Sequence, residues 1–166
     1  ADKITATISG DHKLEKQPDG TFVVRPGKQA DAKITVSAEL PDGTKKTLPA
    51  KEFRVKRIPD PVPTFASKTP SDAVITKSLL IAAPGVSAAM DNFDFDVKVT
   101  VKSFQIAVNR DGQLVELQSR DNRLTSDMSD LLSRVGRGTV VYIENIMVSM
   151  PDCSERQLAT IKLKVT

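Results

Sequence analysis

The sequence predicts a mainly β chain in two parts, a small sandwich followed by a β-sheet domain with one covering α-helix. Three observations carry this: apolar residues alternate with polar ones over much of the chain, turn tripeptides of the Pro-Asp-Gly kind separate the alternating runs, and clustered prolines near residue 60 divide them into two groups.

In the first group, Ile4, Ala6 and Ile8 alternate with Lys3, Thr5 and Thr7, and Ala32, Ile34, Val36, Ala38 and Leu40 alternate with Lys33, Thr35, Ser37 and Glu39. Successive side chains on a strand point to opposite faces, so each run reads as a half-buried strand. Pro18-Asp19-Gly20, Arg25-Pro26-Gly27 and Pro41-Asp42-Gly43 are turns, because proline pre-sets the first corner and glycine takes positive φ at no steric cost. That turn spacing predicts an immunoglobulin-like β-sandwich over residues 1–58. Only about five or six short strands fit there, so the sandwich is expected to be small and to lean on a neighbour or partner chain.

In Ile58-Pro59-Asp60-Pro61-Val62-Pro63 the prolines fix φ and remove backbone donors, which forbids a helix or a central strand. Residues 59–64 are therefore predicted to be a stiff connector in extended geometry.

Residues 65–166 are predicted to form a C-terminal β-rich domain. A short helix is expected over residues 76–83, stopped by Pro84-Gly85. The longest strand signal runs over residues 93–108: Phe93, Phe95, Val97, Val99 and Val101 hold one phase, and Phe104, Ile106 and Val108 hold the other. A one-residue slip would turn the second set outward, so a β-bulge is expected at Lys102-Ser103. Asn109-Arg110-Asp111-Gly112 closes a hairpin into residues 114–119. A helix near 126–135 follows, with Thr125 or Ser126 as cap and Met128, Leu131, Leu132 and Val135 as its apolar stripe. Residues 139–148 and 157–165 are expected to pair around Pro151-Asp152.

Composition narrows the chemistry. The net charge is +3, and the excess sits in residues 1–60, chiefly Lys45, Lys46, Lys51, Arg54, Lys56 and Arg57. Arg54 and Lys56 alternate with Phe53 and Val55, as on the wet face of an edge strand, and no interleaved aromatics offer nucleic acid a stacking platform. No nucleic-acid partner is expected. The lone histidine, His12, reads as a surface residue, and with the lone Cys153 it cannot build a zinc cage or a Ser-His-Asp set. Asp91, Asp94 and Asp96 lack the glycine turn of a calcium loop, and Asp94 and Asp96 are predicted to line the solvent face of a strand. Catalytic residues, cofactors and metals are all expected to be absent. Arg120, Arg123, Arg134 and Arg137 bracket the predicted helix and are the candidate partner-binding residues, since arginine captures carboxylates bidentately.

The stretch Phe53-Arg54-Val55-Lys56-Arg57-Ile58-Pro59-Asp60-Pro61-Val62-Pro63-Thr64-Phe65-Ala66 resembles the start of the last domain of the GldM/PorM family of type IX secretion and gliding motility proteins. The resemblance continues in Phe93-Asp94-Phe95-Asp96-Val97-Lys98-Val99 and in Gly138-Thr139-Val140-Val141-Tyr142-Ile143-Glu144-Asn145-Ile146. It covers residues 52–166, and residues before it suit the immunoglobulin-like domain that precedes the last one in that family. Met150-Pro151-Asp152-Cys153 departs from the pattern, because glycine is expected after Pro-Asp. The resemblance implies a homodimeric, non-catalytic segment of a periplasmic shaft, and strand exchange between the two chains is expected because the first part is short of strands for a closed sandwich. A GldL/PorL-like inner-membrane motor protein would join one end, and a GldK/PorK-like lipoprotein with a GldN/PorN-like ring the other. It also implies an inner-membrane anchoring helix outside this segment, in keeping with a start, Ala1-Asp2-Lys3, that reads as excised from a longer chain. The alternative reading is a cell-surface adhesion or carbohydrate-binding β-sandwich module.

Overall fold

A computed structural model describes residues 3–166, so the Ala1-Asp2 start lies outside it. It is mainly β, 48% strand against 9% helix, and divides into two units, Ala1–Ile58 and Pro59–Thr166. Among the described residues no helix is long and apolar enough to cross a membrane.

The first unit contains β1 (Lys3–Ile8), β2 (Lys13–Lys16), β3 (Phe22–Arg25), β4 (Asp31–Glu39), β5 (Lys45–Thr47) and β6 (Lys51–Arg54). β4 is its spine. β1 pairs antiparallel along one edge of β4, with Ile4 opposite Ala38 and Ile8 opposite Ile34, while β5 and β6 share the other edge. β2 and β3 form a separate hairpin. The strand alternation does not mature into a packed interior: among the described residues of this unit only Ala32 and His12 are buried, whereas Ile4, Val23, Val24, Leu40, Leu48 and Phe53 are exposed.

The burial of His12 corrects the surface position expected for it. Its Nδ1 accepts the Gly27 N–H at 2.8 Å and its Nε2 donates to the Asp31 carbonyl at 3.0 Å, so the neutral ring ties the hairpin to the start of β4. Glycine is needed at 27, because a Cβ there would lie 2.4 Å from Asp11 Cγ. Asp11 in turn accepts the Lys28 and Gln29 N–H groups, which hold its carboxyl below the usual range. Contacts between residues this far apart in sequence leave no local pattern.

Three turns share one geometry. In Gln17-Pro18-Asp19-Gly20-Thr21 the Gln17 N–H donates to Thr21 O at 2.8 Å and the Gly20 N–H to Gln17 O at 3.0 Å. The same pair of bonds recurs in Leu40-Pro41-Asp42-Gly43-Thr44 and in Met150-Pro151-Asp152-Cys153-Ser154. In each, the aspartate accepts the N–H two residues on, and Thr21, Thr44 and Ser154 hydrogen bonds lower the pKa of Asp19, Asp42 and Asp152 below 3.8. Depressed carboxylate values mean a contribution to stability that is present above the ordinary value of 3.8 and lost as the pH falls through the lower folded values. The third turn puts Cys153 at φ 62, where the first two have glycine at 85 and 82. The departure from the family pattern is thus a side chain in the left-handed region, costing roughly 1 kcal/mol relative to glycine.

The second unit holds β7 (Val62–Phe65), β8 (Val74–Ile75), α1 (Lys77–Ala82), β9 (Val86–Ala89), β10 (Thr100–Arg110), β11 (Gln113–Ser119), α2 (Ser126–Arg134), β12 (Val140–Ser149), β13 (Glu155–Gln157) and β14 (Ile161–Val165). Its main sheet runs β11-β10-β12-β14-β8, and β13 also pairs with β12. One face is the core. Ile106 and Val108 lie across from Ile143 and Val141, which in turn face Ile161 and Leu163, and all of these are buried together with Phe104. The short helix expected over residues 76–83 is α1, which supplies the buried Leu80, and α2 supplies Met128, Leu131 and Leu132. Thr76 and Thr125 cap the helices, each accepting an N–H three residues on. Lys77 reaches from α1 to the carbonyls of Leu132, Ser133 and Val135, closing the end of α2.

The connector expected over residues 59–64 is incorporated into this unit. Pro61, Pro63 and Phe65 are buried and alternate with Val62 and Thr64, and β7 pairs with β9 alone. Phe65 N–H points to Lys68 O at 2.9 Å, away from β9, and residue 63 faces the same way, so the donor that proline lacks is not one the ladder needs. Arg156, 8% exposed, holds the segment from β13 by donating to Asp60 Oδ1 at 2.9 Å and Pro59 O at 3.1 Å.

The strand expected over residues 93–108 begins only at Thr100. Thr100 lies opposite Ser149, the last residue of β12, so residues 93–99 have run past the end of their neighbour. Asp94 and Asp96 are accordingly exposed on an unpaired segment and not on a strand face. The bulge at Lys102-Ser103 is present, and a second shift on β12, where Asn145 has φ 50, compensates for it. The expected strand over residues 157–165 is divided into β13 and β14, both on β12.

Candidate docking surfaces

The candidate arginines are held by rigid backbone while their side chains face solvent. Arg120 and Arg123 follow β11 in a loop fixed by the buried Ser119, whose Oγ donates to Arg123 O at 2.7 Å; the Arg123 N–H donates to Asp121 Oδ1 at 2.7 Å. A β-bridge between Gly85 and Arg123 pins the loop from the other side. Arg134 closes α2 and Arg137 follows Gly136. All four are exposed, and none forms an ion pair among the described residues with Asp121, Asp127 or Asp130.

They do not make one patch. The nine-residue α2 stands between Arg123 and Arg134, a separation of about 13 Å along its axis. Two pairs result, one at each end of the helix. The pair at the C-terminal end has a neighbour that the sequence pattern did not single out: Arg110, at the tip of the β10–β11 hairpin, lines a surface groove of about 260 Å³ together with Arg134, Asp127 and Asp130. Lys77 already occupies the terminal carbonyls of α2, so the Arg134 guanidinium is not consumed in capping the helix. Arg120, Arg123, Arg134 and Arg137, exposed and without ion pairs among the described residues, can meet carboxylates on another protein with little reorganisation, whereas Arg110 also lies 3.7 Å from Asp111 Oδ2.

The remaining ionisable groups are dispersed. Lys45, Lys46, Lys51 and Arg54 are exposed on β5 and β6, with the Lys51 ammonium 5.6 Å from the Phe53 ring. Cys153 is exposed in its turn. Among the described residues no group of three or more His, Cys, Asp or Glu side chains gathers in a way that could hold a metal ion.

The outer face of the main sheet is a polar ladder. Gln118 Nε2 donates to Gln105 Oε1 at 3.1 Å and Gln105 Nε2 to Glu144 Oε1 at 2.9 Å, crossing three strands, and the Lys162 ammonium sits 5.7 Å from the Tyr142 ring centroid.

Residues 59–166 match the family model described as the GldM C-terminal domain, and residues 1–56 match the one described as the GldM third domain. No curated protein matches the chain.

Proposed function

The chain belongs to the GldM family and is a gliding and type IX secretion component, and from that premise we propose that it is a non-catalytic segment of a periplasmic shaft that works as a homodimer. In this reading it links a GldL/PorL-like inner-membrane motor protein to a GldK/PorK-like lipoprotein and GldN/PorN-like ring, and it passes force or conformational change between them. The observation that carries the reading is the adjacency of two family domains over nearly the whole chain. The shallow interior of the first unit supports the dimer, because a body that buries so little of its own apolar surface gains stability from a second chain. Buried Pro61 and Pro63 and the Arg156 clamp suit a load path, since the segment that leaves the first unit is gripped by the second.

Docking would use the arginine pairs. Immobilised on a surface, the whole chain is expected to capture the purified lipoprotein and ring proteins. Arg134→Glu with Arg137→Glu, or Arg120→Glu with Arg123→Glu, is expected to weaken capture by roughly tenfold or more, about 1.4 kcal/mol. Absence of capture by the unmodified chain would overturn the reading; capture unaffected by both double variants would remove the arginines from it.

A further inference from the structure

We propose that residues 94–100 pair antiparallel with the same residues of a second copy of this chain, about a two-fold axis at Val97. This rests on the homodimer proposed above and names one place where the two copies meet.

Residues 90–99 make no backbone hydrogen bond and no ion pair among the described residues. They nevertheless keep strand periodicity: Phe93, Val97 and Val99 are half-buried, while Asp94, Asp96 and Lys98 are exposed. Phe95 is 71% exposed, an unusual position for a large aromatic, and Phe93 packs edge-on against it at 5.5 Å. No glycine or proline interrupts the run, and it continues directly into β10. A segment with the alternation of a strand and no neighbour is a template for another strand.

Space for that neighbour exists beside the start of β10. β11 covers β10 only from Phe104 onward, so the side of Thr100 and Val101 turned from β12 lacks a strand. A groove of about 280 Å³ runs there between Val99, Thr100 and Val101 on one side and Val86 to Ala88 on the other.

The sequence selects the second copy as occupant and fixes the register. Centred on Val97, antiparallel pairing sets Val97 against Val97, Phe95 against Val99 and Phe93 against Val101 on one face. On the other it sets Asp96 against Lys98 and Asp94 against Thr100, so two opposite-charge pairs form and no like charges meet. Centring on Asp96 would oppose two carboxylates, and centring on Lys98 two ammonium groups. A half-step shift would set apolar residues against polar ones. Centring on Phe95 would set Asp94 against Asp96, and centring on Val99 would set Phe95 against Ser103 and Phe93 against Gln105. Of these two-fold registers, only the one centred on Val97 places both phenylalanines against apolar residues with no like charges opposed.

The test uses the whole 166-residue chain carrying Cys153→Ser, with Val97→Cys, Asp96→Cys or Lys98→Cys added singly. Sulfurs bridge only when Cβ atoms lie close, so the interchain disulfide at position 97 is expected to form roughly tenfold faster than at 96 or 98. Equal rates, or no crosslink at 97 in a chain that sediments as a dimer, would overturn this pairing and leave the dimer standing. A chain that sediments as a monomer and does not crosslink would overturn both. Asp96→Lys and Lys98→Asp should each slow crosslinking at 97, and the two together should restore it; failure of the pair to restore would also count against the register.

Discussion

Gly85→Ala is expected to destabilise the C-terminal unit by about 3 kcal/mol or more. A Cβ at this position would stand 1.9 Å from the Asn122 carbonyl oxygen and 2.8 Å from the Arg123 Cα. Both are backbone atoms, so no rotamer change relieves the clash. The approach is fixed on either side by Val86 N–H donating to Asn122 O at 2.8 Å and Leu124 N–H donating to Pro84 O at 3.1 Å. Admitting a methyl group means breaking at least one of these and shifting the loop that carries Arg120 and Arg123. Gly112→Ala is the control, because Gly112 has φ 79 with nothing within 4 Å of its Cβ and isolates the conformational penalty, about 1 kcal/mol. Thermal unfolding of the two variants should differ by roughly 10 °C. Equal loss in both would show that the close approach to Asn122 is not rigid.

A cut between Ile58 and Pro59 is expected to yield one fragment that folds alone and one that does not. Residues 59–166 bury Phe65, Leu80, Phe104, Ile106, Ile143 and Leu163 with almost no exposure, which is the content of an independent core. Among the described residues of the first 58, only Ala32 and the satisfied His12 are buried, and a chain of that length stands near the lower limit for folding without a staple. Circular dichroism on heating should show a cooperative transition for the longer fragment and none for the monomeric shorter one. A sharp transition in monomeric 1–58 would mean that its strands and turns suffice without a second chain.

Periodicity made most of the second unit legible, and its limits are physical. The slip of phase between Val101 and Phe104 announced the β10 bulge, because a buried face punishes a one-residue error. The same slip from Ile143 to Ile146 marked the compensating shift at Asn145 and was missed in the sequence. Alternation in residues 93–99 reports which side chains share a face, not whether a neighbouring strand exists, so the strand it predicts is longer than β10. Proline chemistry around residue 60 was legible, but the burial of Pro61 and Pro63 depends on β9 and on Arg156, distant in sequence. Lys77 at the end of α2 and His12 between Gly27 and Asp31 are contacts of the same long-range kind. The arginines were readable as exposed cations. Their division into two pairs, and the place of Arg110 beside Arg134, needed the fold.

Sedimentation velocity of the intact chain at micromolar concentration tests the central claim most directly. The account predicts a single boundary at twice the 18.0 kDa of one chain. A boundary that stays at one chain's mass across the concentration range would contradict it.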